Sequence, residues 1–128
     1  FYSGDKTVIN ISDAIEILRP GSKWTITGNV YSNLNWLESE DGQTKPTEEE
    51  VVQKIAELEY QEEINEYQRQ RAAEYPSYAD QFDKIYHSGV NAWKTQIKAI
   101  KEKYPKQTMD ADELKKRQDK AIEDLNNK

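Results

Sequence analysis

The sequence predicts an α+β fold: a small N-terminal β-rich head over residues 1–46, followed by a helical region over 47–128 that forms a hairpin and a third helix. Three observations predict it. The first 46 residues hold four of the five glycines and two of the three tryptophans, and they are denser in β-branched side chains than the rest. From Pro46 onward, apolar residues recur at spacings of three and four, the period of a helix. Pro76 and Pro105 then divide that pattern, because a proline disfavours helical geometry in the residue before it.

In the head, Thr7-Val8-Ile9-Asn10-Ile11 reads as a short strand. Ser12 is placed to cap a short helix from Asp13 to Leu18, which Pro20-Gly21 stops. Lys23-Trp24-Thr25-Ile26-Thr27 alternates apolar with polar residues, as a half-buried strand does. Gly28-Asn29 marks a turn, and Asn33-Leu34-Asn35-Trp36-Leu37 supplies a partner strand. A polar loop follows from Glu38 to Lys45.

Three helices are expected, over about 47–75, 77–103 and 110–125. Thr47 with Glu50, Ser77 with Asp80 and Asp110 with Glu113 all have the spacing in which a side-chain cap meets a backbone N–H three residues on. Glu48, Glu49 and Glu50 also sit at the positive end of the first helix dipole. In that helix Val51, Ile55 and Leu58 define one face, while Tyr60, Ile64 and Tyr67 define another about half a turn away. A helix whose apolar face moves contacts different partners along its length. In the second helix the stripe is Phe82, Tyr86, Gly89, Trp93, Ile97, Ile100 and Tyr104. In the third, Ala111, Leu114, Ala121, Ile122 and Leu125 form the stripe, with polar Gln118 in its seam.

The hinge Tyr75-Pro76-Ser77 ends one helix and caps the next, which folds the first two helices antiparallel. Charge agrees with that pairing. Residues 47–76 carry nine acids against three bases, and residues 77–105 carry three acids against five bases. Exposed ion pairs contribute only about 0–1 kcal/mol each, so they favour an orientation more than they add stability.

Charged residues make up 33% of the chain and apolar ones 35%, a composition that suits an elongated or oligomeric protein better than a thick core. The net charge of −6 argues against nucleic acid as the main partner, since neutralising phosphates takes clustered Lys and Arg. No apolar run approaches the roughly 18 residues that span a bilayer, so no membrane partner is expected. With no cysteine and one histidine, neither a disulfide nor a zinc site is expected.

No catalytic, metal or cofactor site is predicted. His87, one helical turn after Asp83, lacks the nucleophile that a general base would serve, and reads as a helix-surface or interface residue. Glu48-Glu49-Glu50 and Glu62-Glu63 point to different sides of a helix, and Asp110-Ala111-Asp112-Glu113 lacks the length and glycine of a calcium loop. Trp24 and Trp36 read as core of the head rather than as a sugar-stacking platform. Amphipathic tyrosines favour surfaces that a partner buries. The candidate partner interface is Tyr60, Ile64, Tyr67, Tyr78, Tyr86 and Trp93.

The order of several segments resembles a family of small virion or tail-fibre-associated proteins of tailed bacteriophages, particularly those of cyanobacteria. The segments are Leu18-Arg19-Pro20-Gly21-Ser22-Lys23-Trp24, Leu34-Asn35-Trp36-Leu37, Lys45-Pro46-Thr47-Glu48-Glu49-Glu50, the hinge with Asp80-Gln81-Phe82-Asp83, and Asn91-Ala92-Trp93-Lys94. The resemblance covers most of residues 9–105. It implies a non-enzymatic structural role in the tail, tail fibre or neck, as a connector or fibre-associated subunit located in the virion after assembly in the host cytoplasm. The partners it implies are other phage tail or fibre proteins and further copies of this chain, a trimer matching the symmetry common in such fibres. Two alternatives stay open: a tail-fibre assembly chaperone absent from the finished particle, and a soluble phage module that binds a host protein.

Overall fold

The structure, a computed structural model, describes residues 8–37 and 42–128. Over these the chain is mostly helical with one small sheet, which agrees with a broadly α+β or mainly α fold. The elements are α1 (Ile11–Leu18), β1 (Trp24–Thr25), a 3-10 turn (Tyr31–Asn33), β2 (Asn35–Trp36), α2 (Glu48–Glu74), α3 (Tyr78–Ser88), α4 (Val90–Lys103) and α5 (Ala111–Asn126). They divide into two compact units, Glu63–Thr108 and the remainder of the described chain, with α2 contributing to both.

The first unit to consider holds α1, the sheet, the first part of α2 and α5. Asn10, not Ser12, caps α1. Its Oδ1 accepts from the Asp13 N–H at 3.1 Å, and its own N–H donates to the Asp13 carboxylate at 3.0 Å. This reciprocal cap starts the helix two residues earlier than expected and carries Ile11 into the core. The strand expected at Thr7–Ile11 is therefore absent over Val8–Ile11, while Thr7 lies outside the described residues. Asn29 Oδ1 accepts from the Ile11 N–H at 2.8 Å, pinning the start of α1 to the Gly28-Asn29 turn.

Ile11, Ala14, Ile15, Leu34 and Val51 form the core of this unit. Trp24 and Trp36 pack against it from the sheet, where they are cross-strand partners in an antiparallel pair. The tryptophans are thus core-facing, as their sequence context indicated. Both strands are shorter than the five residues expected of each. The Trp36 indole donates to the Gln43 carbonyl at 3.2 Å, and Asn33 donates to the Thr27 carbonyl at 2.9 Å. Of the expected loop Glu38–Lys45, the first four residues lie outside the described part.

Thr47 and Glu50 make the predicted capping box at the start of α2, through bonds of 3.1 and 3.2 Å. Arg19 ties the end of α1 to this cap, donating to the Thr44 carbonyl at 2.8 Å and to Glu50 at 3.0 Å. The Thr47 backbone N–H and then the Arg19 guanidinium hold the Glu50 carboxyl below the ordinary carboxylate range. At α5, Asp110 Oδ2 accepts from the Glu113 N–H at 3.3 Å, and the Asp110 N–H donates to the Tyr60 hydroxyl at 3.1 Å. The Arg117 guanidinium lies 4.3 Å from the Tyr60 ring centroid, so one buried tyrosine anchors the beginning of α5 at both its edge and its face.

The second unit is the last part of α2 with α3 and α4. Helix α2 ends where the sequence places it, with the Tyr75 N–H donating to the Arg71 carbonyl at 2.9 Å. Ser77 caps α3 by accepting from the Asp80 N–H at 3.1 Å, and the Gln81 side chain donates to the Pro76 carbonyl at 2.8 Å. The single helix expected over 77–103 is two helices, and the packed hairpin is α3 with α4 rather than α2 folded along its whole length against the helix after the hinge. Gly89 ends α3 by donating to the Ile85 carbonyl at 2.9 Å and begins α4 by accepting from the Trp93 N–H at 3.3 Å. At φ 86° and ψ 165°, it occupies a region open essentially to glycine alone.

Helix α4 packs on α3 and returns to the end of α2. There Arg71 donates to the carbonyls of Tyr104 at 2.9 Å and Lys101 at 3.1 Å, satisfying groups that the end of a helix leaves unpaired. A Cβ at position 89 meets nothing within 4 Å, so Gly89→Ala carries a penalty of backbone strain alone. It is expected to cost about 1–3 kcal/mol. Chemical denaturation checks this, and an unchanged midpoint would show that the turn relaxes without loss.

Candidate functional site

Two surfaces, one on each unit, have features that internal packing does not use. On α3, Tyr78, Phe82 and Tyr86 recur every fourth residue and so share one helix face. They are 80%, 68% and 84% exposed, and Val90 at the start of α4 is 48% exposed. The inner face of α3 carries instead Gln81 and Ile85, both half-buried. Gln81 Oε1 accepts from the Trp93 indole at 3.0 Å.

On α4, Trp93, Ile97 and Ile100 are half-buried, whereas Lys94, Lys98 and Lys101 form an exposed row. Each residue turns a helix by about 100°, which places the aromatic row and the lysine row about a quarter turn beyond the faces the two helices share. Both helices are right-handed and α4 runs back along α3, so the same sense of rotation brings both rows to one side of the hairpin. That side presents aromatic rings beside ammonium groups. Lys98 approaches Glu102 at 3.7 Å as an exposed pair.

The second surface is a groove of about 490 Å³ in the unit containing α1 and α5. Ile11, Val52, Ile55, Ala56, Ala121 and Leu125 make its apolar walls. Glu48, Glu59 and Asp124 supply carboxylates around them. The Tyr31 hydroxyl at one edge donates to the Pro46 carbonyl. Burial, followed by the nearby Glu48 and Glu50 charges, raises its pKa.

The sequence-predicted interface residues are thus distributed unevenly. Tyr60, Ile64 and Tyr67 are buried, Trp93 is half-buried and bonded to Gln81, and Tyr78 and Tyr86 are open to solvent. Tyr75, Pro76 and Ser77 form the helix junction, with Tyr75 and Pro76 half-buried. His87 is exposed and meets the Tyr86 ring edge-on at 5.0 Å. The exposure of Phe82, the lysine row and the acid-lined groove were not legible beforehand. Residue spacing alone could have grouped Lys94, Lys98 and Lys101, but only the Gly89 break places them beside the aromatics.

Electrostatics also ties the hairpin to its junction. Glu74 accepts from Lys103 at 2.6 Å and from the Tyr104 hydroxyl at 2.7 Å, and these bonds hold its carboxyl below the ordinary range, with Lys103 the larger cause. A carboxyl depressed on folding contributes stability above its unfolded pKa and loses it as pH falls through its folded pKa. Glu74→Gln is expected to flatten the acid side of the stability–pH curve of this unit while leaving its shape near neutrality. Denaturation midpoints measured from neutrality down through the carboxylate range check this, and a parallel curve would refute it.

Among the described residues, no group of three or more histidine, aspartate or glutamate side chains is placed to hold a metal ion, and no helix is long and apolar enough to cross a membrane. No protein-family model, curated protein or solved structure gives a significant match to the chain.

Proposed function

We propose that this chain is a non-enzymatic structural subunit of a phage tail, tail-fibre or neck apparatus, working as a connector through protein–protein contact, with its N-terminal head and its helical hairpin presenting separate surfaces. The observation that supports an interaction role is the exposed row of Tyr78, Phe82 and Tyr86. Three large aromatic side chains held mostly in water on one face of a helix are costly to a solitary molecule, and contiguous apolar patches of this kind mark surfaces that partners cover. The virion assignment rests on the sequence resemblance of the hinge and its neighbouring segments. Mass spectrometry of purified particles tests it. Stoichiometric presence of the chain supports the connector role, and absence from particles overturns it in favour of the assembly chaperone.

A further inference from the structure

We propose that copies of this chain join head to tail, the aromatic and lysine face of the α3–α4 hairpin of one copy seating in the acid-lined apolar groove between α1, α2 and α5 of the next. The proposal rests on reading the hairpin face as an interaction surface and names its partner as a second copy. It does not depend on where the chain is located.

Three properties of the two surfaces match. In shape, one is a row of side chains projecting from a helix, and the other is a groove of about 490 Å³. In polarity, Phe82 and the tyrosine rings meet walls of Val52, Ile55, Ala56 and Leu125. In charge, Lys94, Lys98 and Lys101 border the aromatics, and the groove carries Glu48, Glu59 and Asp124 against Lys128, a net negative lining although Asp124 also pairs with Lys120 at 3.4 Å. Opposed charges at the rim of a contact steer association and fix its register more than they add affinity.

The contact is small: three aromatic side chains of about 150–250 Å² each set against one groove lie below the about 1,200–2,000 Å² of a standard specific contact, so a weak, concentration-dependent association is expected. Since the contacting surfaces differ, the association is heterologous, and a joined pair leaves one groove and one row free.

The test uses the whole chain and two variants confined to exposed positions. Phe82→Ser with Tyr86→Ser removes the row and leaves the groove. Glu59→Lys with Asp124→Lys reverses charge at the groove and leaves the row. Circular dichroism matching the parent establishes that each variant folds. By analytical ultracentrifugation, the parent is expected to show a mass rising with concentration from 15.0 kDa to at least twice that value. Each variant alone is expected to remain at 15.0 kDa. Their equimolar mixture is expected to double in mass and stop there, because each pair retains one intact contact and cannot extend.

A parent that stays monomeric at every concentration overturns the proposal. So does a groove variant that self-associates as the parent does, which would assign the contact to two hairpins. A mixture that stays monomeric also overturns it. A monomeric parent that still occurs stoichiometrically in purified particles would sink this inference and leave the proposed function standing.

Discussion

Ile15→Ala is expected to destabilise the unit containing α1 and α5 by about 3 kcal/mol or more, the scale at which deleting a fully buried aliphatic side chain leaves a cavity. Ile15 has no exposed surface and lies among Ile11, Ala14, Leu34 and Val51. Its helix is only eight residues long, too short to persist without that packing. The core is small, so one lost side chain is a large share of it. Ile17→Ala on the same helix is the control, because Ile17 is 51% exposed and its truncation is expected to cost well under half as much. Denaturation of both variants, followed by tryptophan fluorescence from Trp24 and Trp36, checks the contrast. Equal losses would show that α1 contributes by helix propensity and not by core packing.

Tyr67→Ala is expected to cost the α2–α3–α4 unit a similar amount, about 3–5 kcal/mol. Tyr67 is buried, and the Arg71 guanidinium lies 4.9 Å from its ring centroid. That guanidinium holds the Lys101 and Tyr104 carbonyls, so removing the ring also removes the support under the group that closes α4. Tyr67→Phe separates the two contributions. The hydroxyl accepts a 3.2 Å bond from the exposed neighbouring Gln68 side chain, and the phenyl ring keeps both bulk and stacking face. Phenylalanine is therefore expected to be nearly neutral. Hydrogen exchange at the last turn of α4 should accelerate in Tyr67→Ala and stay at parent rates in Tyr67→Phe. Slow exchange there in the alanine variant would show that Arg71 holds its position without the ring.

These two residues also show which parts of the fold were legible in the sequence. Tyr67 belongs to the second apolar face of α2, and the half-turn shift from Val51, Ile55 and Leu58 to Tyr60, Ile64 and Tyr67 signalled different contacts along one helix. The boundary between the compact units at Glu62 and Glu63 falls within the second of those faces. The caps on α2, α3 and α5 were legible because a side chain bonding a backbone group three residues away is a local interaction. The cap on α1 was misplaced because Ser12 and Asn10 both suit that position, and the choice was made by burying Ile11 and by the Asn29 bond to its N–H.

The break at Gly89 was hidden by the periodicity itself. Phe82, Tyr86, Gly89 and Trp93 continue at spacings of three and four, so the pattern reads as one stripe. In the folded chain the stripe divides, with Trp93 bonded inside and Phe82 and Tyr86 left outside. Gly89 after His87 is a local stop signal, but the continuing spacing of three and four outweighed it. The break was set by long-range bonds as well, chiefly those of Arg71 and Glu74 to the far end of α4. The candidate surfaces were illegible for the same reason, because each gathers residues from helices that only tertiary packing brings together.

Gly89 also makes chirality an experimental variable. Its φ of 86° with ψ of 165° is close to the mirror image of an ordinary extended conformation. A D-residue is native to that geometry and an L-residue is not. Introduced by chemical ligation, D-alanine at this position would match the turn that L-alanine strains, and it would restrict the unfolded chain as well. The two enantiomers add the same atoms, so the difference between their stabilities would measure the handedness of a single turn, the turn that decides whether residues 78–103 form one rod or a folded pair.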